Sequence, residues 1–189
     1  MTKMQVTQRI TAAEYLDHYE EDHRRTELVD GLIIMHEARL PHALLSMRLL
    51  LALTDWTRAQ AGRGMVVVPI DVMLDDRNVY APDVLWYSEQ RMPATDDPWP
   101  YPLPDLAIEI RSPSTWRYDV GIKRRTYERQ GLAELWLVDG VESVVRALRR
   151  SDPAAATFDA THELALGDTL SSPLLHGFAL PIAELFAER

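Results

Sequence analysis

The strongest constraint on this chain lies between Asp105 and Asp139. DLAIEIR (105–111) reads as an apolar, β-branched strand, and Ser112-Pro113-Ser114-Thr115 forces an extended exit and then offers a helix N-cap. A helix is predicted to Gln130, stopped by Gly131, and ELWLVD (134–139) reads as a second, buried-type strand. Strand, helix and strand at this spacing form a βαβ unit, so the two strands should lie parallel with a right-handed crossover.

The flanking sequence fits around that unit. Thr11 with Glu14 three residues on is a capping-box pattern, predicting a first helix to about His23. TELVDGLIIMHE places two short apolar runs around Asp30-Gly31, a hairpin turn signal. Helical spacing runs from Pro41 to about Ala61 and ends before Gly62. MVVVPIDVML (65–74) and APDVLWYS (81–88) read as strands, antiparallel because their connections are short, and a Pro-rich loop (93–104) follows. ESVVRAL (142–148) returns across a turn at Gly140, and the tail reads as short strands and turns, with a last helical turn near 183–186. The expected architecture is α/β (α+β): one domain over 1–189, a mixed sheet with helices packed on it.

The absence of cysteine excludes disulfides, thiol nucleophiles and Cys-ligated zinc. No leader-like or membrane-length apolar run is present, so a cytoplasmic protein with no membrane partner is expected. The net charge of −9 argues against broad coating of nucleic acid. Residues 111–130 run against that balance, with Arg111, Arg117, Lys123, Arg124, Arg125 and Arg129 facing only Asp119 and Glu128. Such a segment is either a phosphate-docking face or the solvated side of a helix.

Two carboxylates stand out. On strand 105–111, Ile108 and Ile110 face one way, while Ala107, Glu109 and Arg111 face the other. Glu109 is therefore a charge in an apolar strand, costly unless partnered. Asp83 heads the strand after Pro82 in a comparable place. Paired carboxylates on adjacent strands suit Mg²⁺ or Mn²⁺, and the plainer alternative is that each pairs with an arginine or caps a turn. On the following helix, Trp116, Val120, Lys123 and Tyr127 share a stripe with Asp119 at its edge. A lysine within an apolar stripe needs a partner, or must snorkel. His42 shares an inward helix face with Leu45, Leu49, Leu53 and Trp56, which reads first as a satisfied core histidine and second as a member of the site. Asp71 either lines the same cleft or faces solvent on an edge strand.

ELVDG (27–31), APDVLWY (81–87), PDLAIEIRSPST (104–115), the string Asp119…Lys123…Tyr127…Gly131…Glu134 to Asp139, and the closing GDTLSSPLLHGFALPIAELF resemble the Uma family, a branch of the PD-(D/E)XK restriction-endonuclease-like superfamily. The likeness spans nearly the whole chain. It implies a restriction-endonuclease-like mixed sheet flanked by helices, with an N-terminal helix-hairpin-helix extension of the core. It also implies a nuclease core with Asp83 and Glu109 as metal ligands, and the reading that follows is a metal-dependent endonuclease acting on nucleic acid, DNA in the first instance, with the Ile110 carbonyl completing a site for Mg²⁺ or Mn²⁺. Glu27 would be an accessory acid, and Asp119, Tyr127 and His42 would border the substrate.

The superfamily signature places a lysine two positions after the glutamate, where this chain has Arg111, which cannot serve as a base. The resemblance moves that role to Lys123 and leaves Arg111 to the phosphate flank. Lys123→Met is then expected to cost activity more than stability. The alternatives are a catalytically inactive binding module with the same fold and a phosphoesterase of small substrates. A homodimer, with which restriction-like folds often cut both strands, remains an option.

Overall fold

The computed structural model describes residues 9–17, 26–37 and 39–187. Thr11 and Glu14 form the capping box: the Glu14 carboxylate accepts the Thr11 amide at 2.8 Å, and the Thr11 hydroxyl accepts the Glu14 amide at 3.2 Å. They open α1 (Ala12–Asp17), and the expected continuation to His23 lies outside the described residues. Strands β1 (Thr26–Val29) and β2 (Leu32–Met35) pair antiparallel around Asp30-Gly31, with φ of 49° and 75°. Both angles are left-handed, as a two-residue hairpin turn of this hand requires. α2 (Leu40–Arg58) carries Pro41 in its first turn and buries Leu45, Leu49 and Leu53.

MVVVPIDVML is not one strand. Pro69 has no N–H for a ladder and interrupts it, leaving β3 (Met65–Val67) and β4 (Val72–Asp75) in different sheets. β4 turns at once into β5 (Asn78–Tyr80), a strand absent from the sequence reading, and β6 (Val84–Tyr87) follows. β7 (Leu106–Ile110) and β8 (Glu134–Asp139) are parallel, as the βαβ reading requires. The helix between them is α3 (Trp116–Tyr118), a π-helical turn (Asp119–Lys123) and α4 (Arg124–Arg129). β9 (Val144–Arg149) and β10 (Ala160–Leu164) complete a six-stranded mixed sheet in the order β10-β9-β8-β7-β6-β3. The tail supplies β11 (Thr169–Leu170), β12 (Leu180–Pro181) and α5 (Ile182–Leu185).

The N-terminal hairpin is not set apart as an appendage. It joins β5 and β4 in a four-stranded sheet, β2-β1-β5-β4. Alternation along β6 and β7 then divides the core. Val84, Trp86, Ile108 and Ile110 pack with α2, Phe178 and α5, while Leu85, Tyr87 and Ala107 pack with Val29, Tyr80 and Tyr127 from the small sheet and α4. α1 covers the outer side of the small sheet, through Ala12 and Tyr15 against Leu28 and Val79. Glu27 shares its strand face with Val29, so it is aimed at the layer where Glu109 lies. Among the described residues no helix is long and apolar enough to cross a membrane.

Candidate active site

Lys123 sits at the centre of a buried acidic cluster. Its ammonium lies 2.9 and 3.0 Å from the two Glu27 oxygens, 2.8 Å from Glu109 Oε1 and 3.0 Å from Asp119 Oδ1. It is 0 % exposed, so its stem does not snorkel to water. The Tyr80 ring lies 5.3 Å beneath the charge, and the Tyr127 hydroxyl donates to Glu109 Oε1 at 2.7 Å.

The helix geometry behind this differs from the expected stripe. Val120 is 37 % exposed, and Asp119 turns inward in its place. In an α-helix a four-residue step overshoots one turn, so positions 115, 119, 123 and 127 would drift around the axis. The wider π turn at Asp119–Lys123 absorbs that drift. Thr115, Asp119, Lys123 and Tyr127 thereby hold one line, all buried. Thr115 is itself fixed from both sides: the Ser112 hydroxyl accepts its amide at 3.1 Å, and its own hydroxyl donates to Asp119 Oδ2 at 3.0 Å. The helix start is therefore capped by Ser112.

Three carboxylates around one ammonium cannot all keep their ordinary acidity. Burial opposes ionisation of Glu27, but the Lys123 charge and the His36 hydrogen bond overcome it and bring the carboxyl down to about 2. Burial pushes Glu109 well above the usual carboxylate range; Lys123 opposes this, and repulsion from Asp119, Glu27 and Asp83 adds to it. Burial raises Asp119 as well. Lys123 is held firmly protonated, because its carboxylates outweigh the cost of burial. Neighbouring acids driven in opposite directions are a pattern typical of functional sites.

Asp83 lies at the rim of this cluster. Asp83 immediately precedes β6, whose first residue Val84 pairs with Ile108, and its charge is among those that raise Glu109. Asp83 Oδ2 accepts the Ile110 amide at 2.7 Å, and Oδ1 lies 3.1 Å from His42 Nε2. His42, read first as a core histidine, is thus bound to Asp83 on the wall of a cleft of about 480 Å³. His36, which the sequence reading did not single out, lines the same cleft and holds Glu27 Oε2 at 2.7 Å. Burial lowers the proton affinity of each ring, and Glu27 for His36 and Asp83 for His42 more than reverse it, so both histidines are raised.

Arg111 stands outside the cluster. Its Nη1 pairs with buried Asp139 at 2.7 Å and its guanidinium lies over the Trp116 ring, with about a third of the side chain exposed. Of the other helix cations, Arg129 pairs with Asp75 and Arg117 bonds the Tyr118 hydroxyl, while Arg125 is exposed. Asp71 is separate from the Lys123 cluster: it accepts the Trp99 indole N–H at 3.0 Å beside a second pocket.

The donor set fits a hard divalent cation. Carboxylates outnumber the buried ammonium, Asp119 Oδ1 makes no hydrogen bond despite its ion-pair contact, and Glu109 uses only Oε1 toward Lys123 and Tyr127. Among the described residues no three His, Asp or Glu side chains are disposed to ligate one ion together.

The model of the Uma2 family, described as "Putative restriction endonuclease", matches residues 12–183. A solved structure, "a putative nuclease belonging to DUF820 from Anabaena variabilis ATCC 29413", superposes with a TM-score of 0.79 at 20 % identity, over 94 % of this chain and 97 % of that one. No curated protein sequence matches the chain.

Proposed function

The chain belongs to the Uma2 family, and on that premise we propose that it is a metal-dependent nuclease hydrolysing phosphodiester bonds in nucleic acid, DNA in the first instance. The observation that carries this reading is the Asp83 carboxylate held on the amide of Ile110, next in the chain to Glu109, on the wall of the open cleft. Asp83, Glu109 and the Ile110 carbonyl would hold Mg²⁺ or Mn²⁺. When bound, such an ion lowers the pKa of coordinated water and offsets charge developing on phosphorus.

The remaining roles belong to the chain itself. Lys123 acts from beneath, as a positioning residue: it holds Glu109, Glu27 and Asp119 in place and offsets part of their mutual repulsion. Tyr127 fixes the Glu109 rotamer through its hydroxyl. His42 and His36 face the cleft, each backed by a carboxylate, and in their protonated forms supply positive charge beside a phosphate. Arg111 steadies the end of β7 against Asp139 and, with part of its surface still open, borders the phosphate side.

The test is cleavage of plasmid, single-stranded DNA and RNA with Mg²⁺ or Mn²⁺, run beside Glu109→Gln. Metal-dependent scission by the wild type that is lost in the variant is the expected result. Binding without turnover on every substrate would reject hydrolysis and leave the nucleic-acid binding module.

A further inference from the structure

Hydrolysis of a phosphodiester leaves an alkoxide that takes up a proton, and the side chains gathered around Glu109 are poorly placed to supply it. Lys123 is 0 % exposed and shared among three carboxylates. The Tyr127 hydroxyl is equally sealed and already donates to Glu109. Arg111 stays charged and releases no proton. A side-chain donor must therefore come from the wall of the cleft, where two histidines stand beside hydroxyls too weakly acidic to serve.

The two histidines are not equivalent. His42 Nε2 is bound to Asp83, a candidate metal ligand, so that ring is committed to holding Asp83. His36 is bound to Glu27, which belongs to the buried cluster and not to the metal pair. The hairpin puts it there. Glu27 pairs with Ile34 across β1 and β2, and His36, two residues on, shares the face of Ile34 and lies diagonally from Glu27.

The Glu27 carboxyl is brought down to about 2, so near neutrality it only accepts, and His36 Nε2 carries the proton between them at 2.7 Å. That contact fixes the tautomer and leaves Nδ1 as the nitrogen that gains and loses a proton. Among the described residues Nδ1 makes no hydrogen bond, and it is not sealed from water; the side chain keeps 24 % exposure where it lines the cleft. Around the ring stand Glu27 from β1, Lys123 from the π turn, Asp83 at the head of β6, His42 from α2, and Glu37 as its chain neighbour. Burial lowers the proton affinity of the ring and Lys123 adds to that, while the hydrogen bond and charge of Glu27, helped by Asp83, outweigh both. The ring thus holds its Nδ1 proton further into the neutral range than a free imidazole does.

We propose that His36 donates the Nδ1 proton to the leaving oxygen, with Glu27 as the carboxylate that orients its ring. The attacking water oxygen bonds to phosphorus as the P–O bond to the leaving oxygen breaks. The bonding pair goes to the leaving oxygen, which takes the Nδ1 proton. The attacking water gives up one proton to solvent, and His36 regains one from solvent. The products are a phosphomonoester and an alcohol. This inference rests on the nuclease reading above and gives a residue to a step which that reading leaves open.

The test replaces the leaving oxygen by sulfur, since a thiolate departs without being protonated. DNA strands, single and in duplex, with one bridging sulfur on the 3′ or the 5′ side of a single phosphate are cleaved with Mn²⁺ beside the all-oxygen strand. His36→Gln should slow cleavage of the all-oxygen linkage by about 100-fold, within the range for one general acid. Where sulfur occupies the leaving position, the variant should keep the wild-type rate. A variant that only disturbed Glu27 would be slowed alike on every linkage. Independently of activity, ¹⁵N NMR of the metal-free protein should show the neutral His36 ring protonated on Nε2, with Nδ1 titrating above the ordinary histidine value. Equal slowing on all linkages, an all-oxygen rate indifferent to His36→Gln, or a neutral ring protonated on Nδ1 would each overturn the proposal and leave the nuclease reading standing. No cleavage of any strand by the wild type would reject the hydrolase and the proton donor with it.

Discussion

The ammonium of Lys123 and the carboxylate of Glu27 meet at 2.9 Å across 96 residues of sequence, with both side chains sealed from solvent. The pair ties the helix after β7 to the small N-terminal sheet, so two layers of the fold share one electrostatic joint. Glu27 Oε1 also accepts the Ala81 amide at 2.7 Å, two residues before Asp83. The joint therefore bears on both walls of the cleft.

Lys123→Met should be strongly destabilising, which reverses the expectation from sequence that the swap would spare stability. The lysine is buried among three carboxylates, and removing it strands them without their common cation. Breaking a buried pair in this way costs about 3–5 kcal/mol. Urea unfolding at pH 7 should register that loss, shrinking in acid as the carboxylates take up protons. A loss below about 1 kcal/mol would show that Lys123 does not hold the cluster.

Glu27→Gln gives the pH dependence of the same joint. The Glu27 carboxyl falls from 4.5 to about 2 on folding, so its ionised form stabilises the native state. That contribution is fully present above pH 4.5 and disappears as pH falls through about 2. The stability gap between wild type and Glu27→Gln should be widest near neutrality and close across that acid window. A constant gap from neutrality to acid would point to packing as its source.

The parts of this site that local chemistry dictates were legible in the sequence. Glu109 announced itself as a charge within LAIEI, and the βαβ unit placed a helix directly after it. Lys123 was legible as an inward lysine, and it lies 2.8 Å from Glu109. What escaped depends on geometry that no short window encodes. A π turn leaves no composition signal, so the stripe was phased on Val120 when Asp119 faces inward. Pro69 was visible, but its effect, sending β3 and β4 to different sheets, depends on tertiary pairing. His36 follows an apolar strand without a motif, and only the fold of the hairpin brings it to Glu27. The pairing of Arg111 with Asp139 also escapes a short window, since its partner lies 28 residues away on the parallel neighbour strand.

Metal binding should separate Asp83 and Glu109 from the structural acids. Asp83→Asn keeps an oxygen for the Ile110 amide, and Glu109→Gln keeps one for the Tyr127 hydroxyl, so both variants should fold. Each should lose Mn²⁺ binding by calorimetry. Glu109→Gln should also be the more stable protein at neutral pH without metal. The Glu109 pKa is raised on folding, so the stability it contributes is fully present below pH 4.5 and is lost as pH rises through its folded value. The advantage of the glutamine should therefore grow with pH. Unchanged Mn²⁺ affinity in both variants would reject this metal site.

Gly121→Ala tests whether the π turn is a property of the fold or of its glycine. Gly121 lies in the middle of the turn, its φ is not in the left-handed region, and an added Cβ would meet nothing within 4 Å. Nothing in the local geometry therefore requires glycine there. Replacing glycine by alanine within a helix removes conformational freedom from the unfolded chain and gains about 0.5–1 kcal/mol. If Lys123 and its carboxylates hold the turn in shape, the variant should unfold at higher urea by that margin and bind Mn²⁺ as the wild type does. Destabilisation together with weaker Mn²⁺ binding would mean that the glycine sets the turn, and that the line from Thr115 to Tyr127 depends on its flexibility.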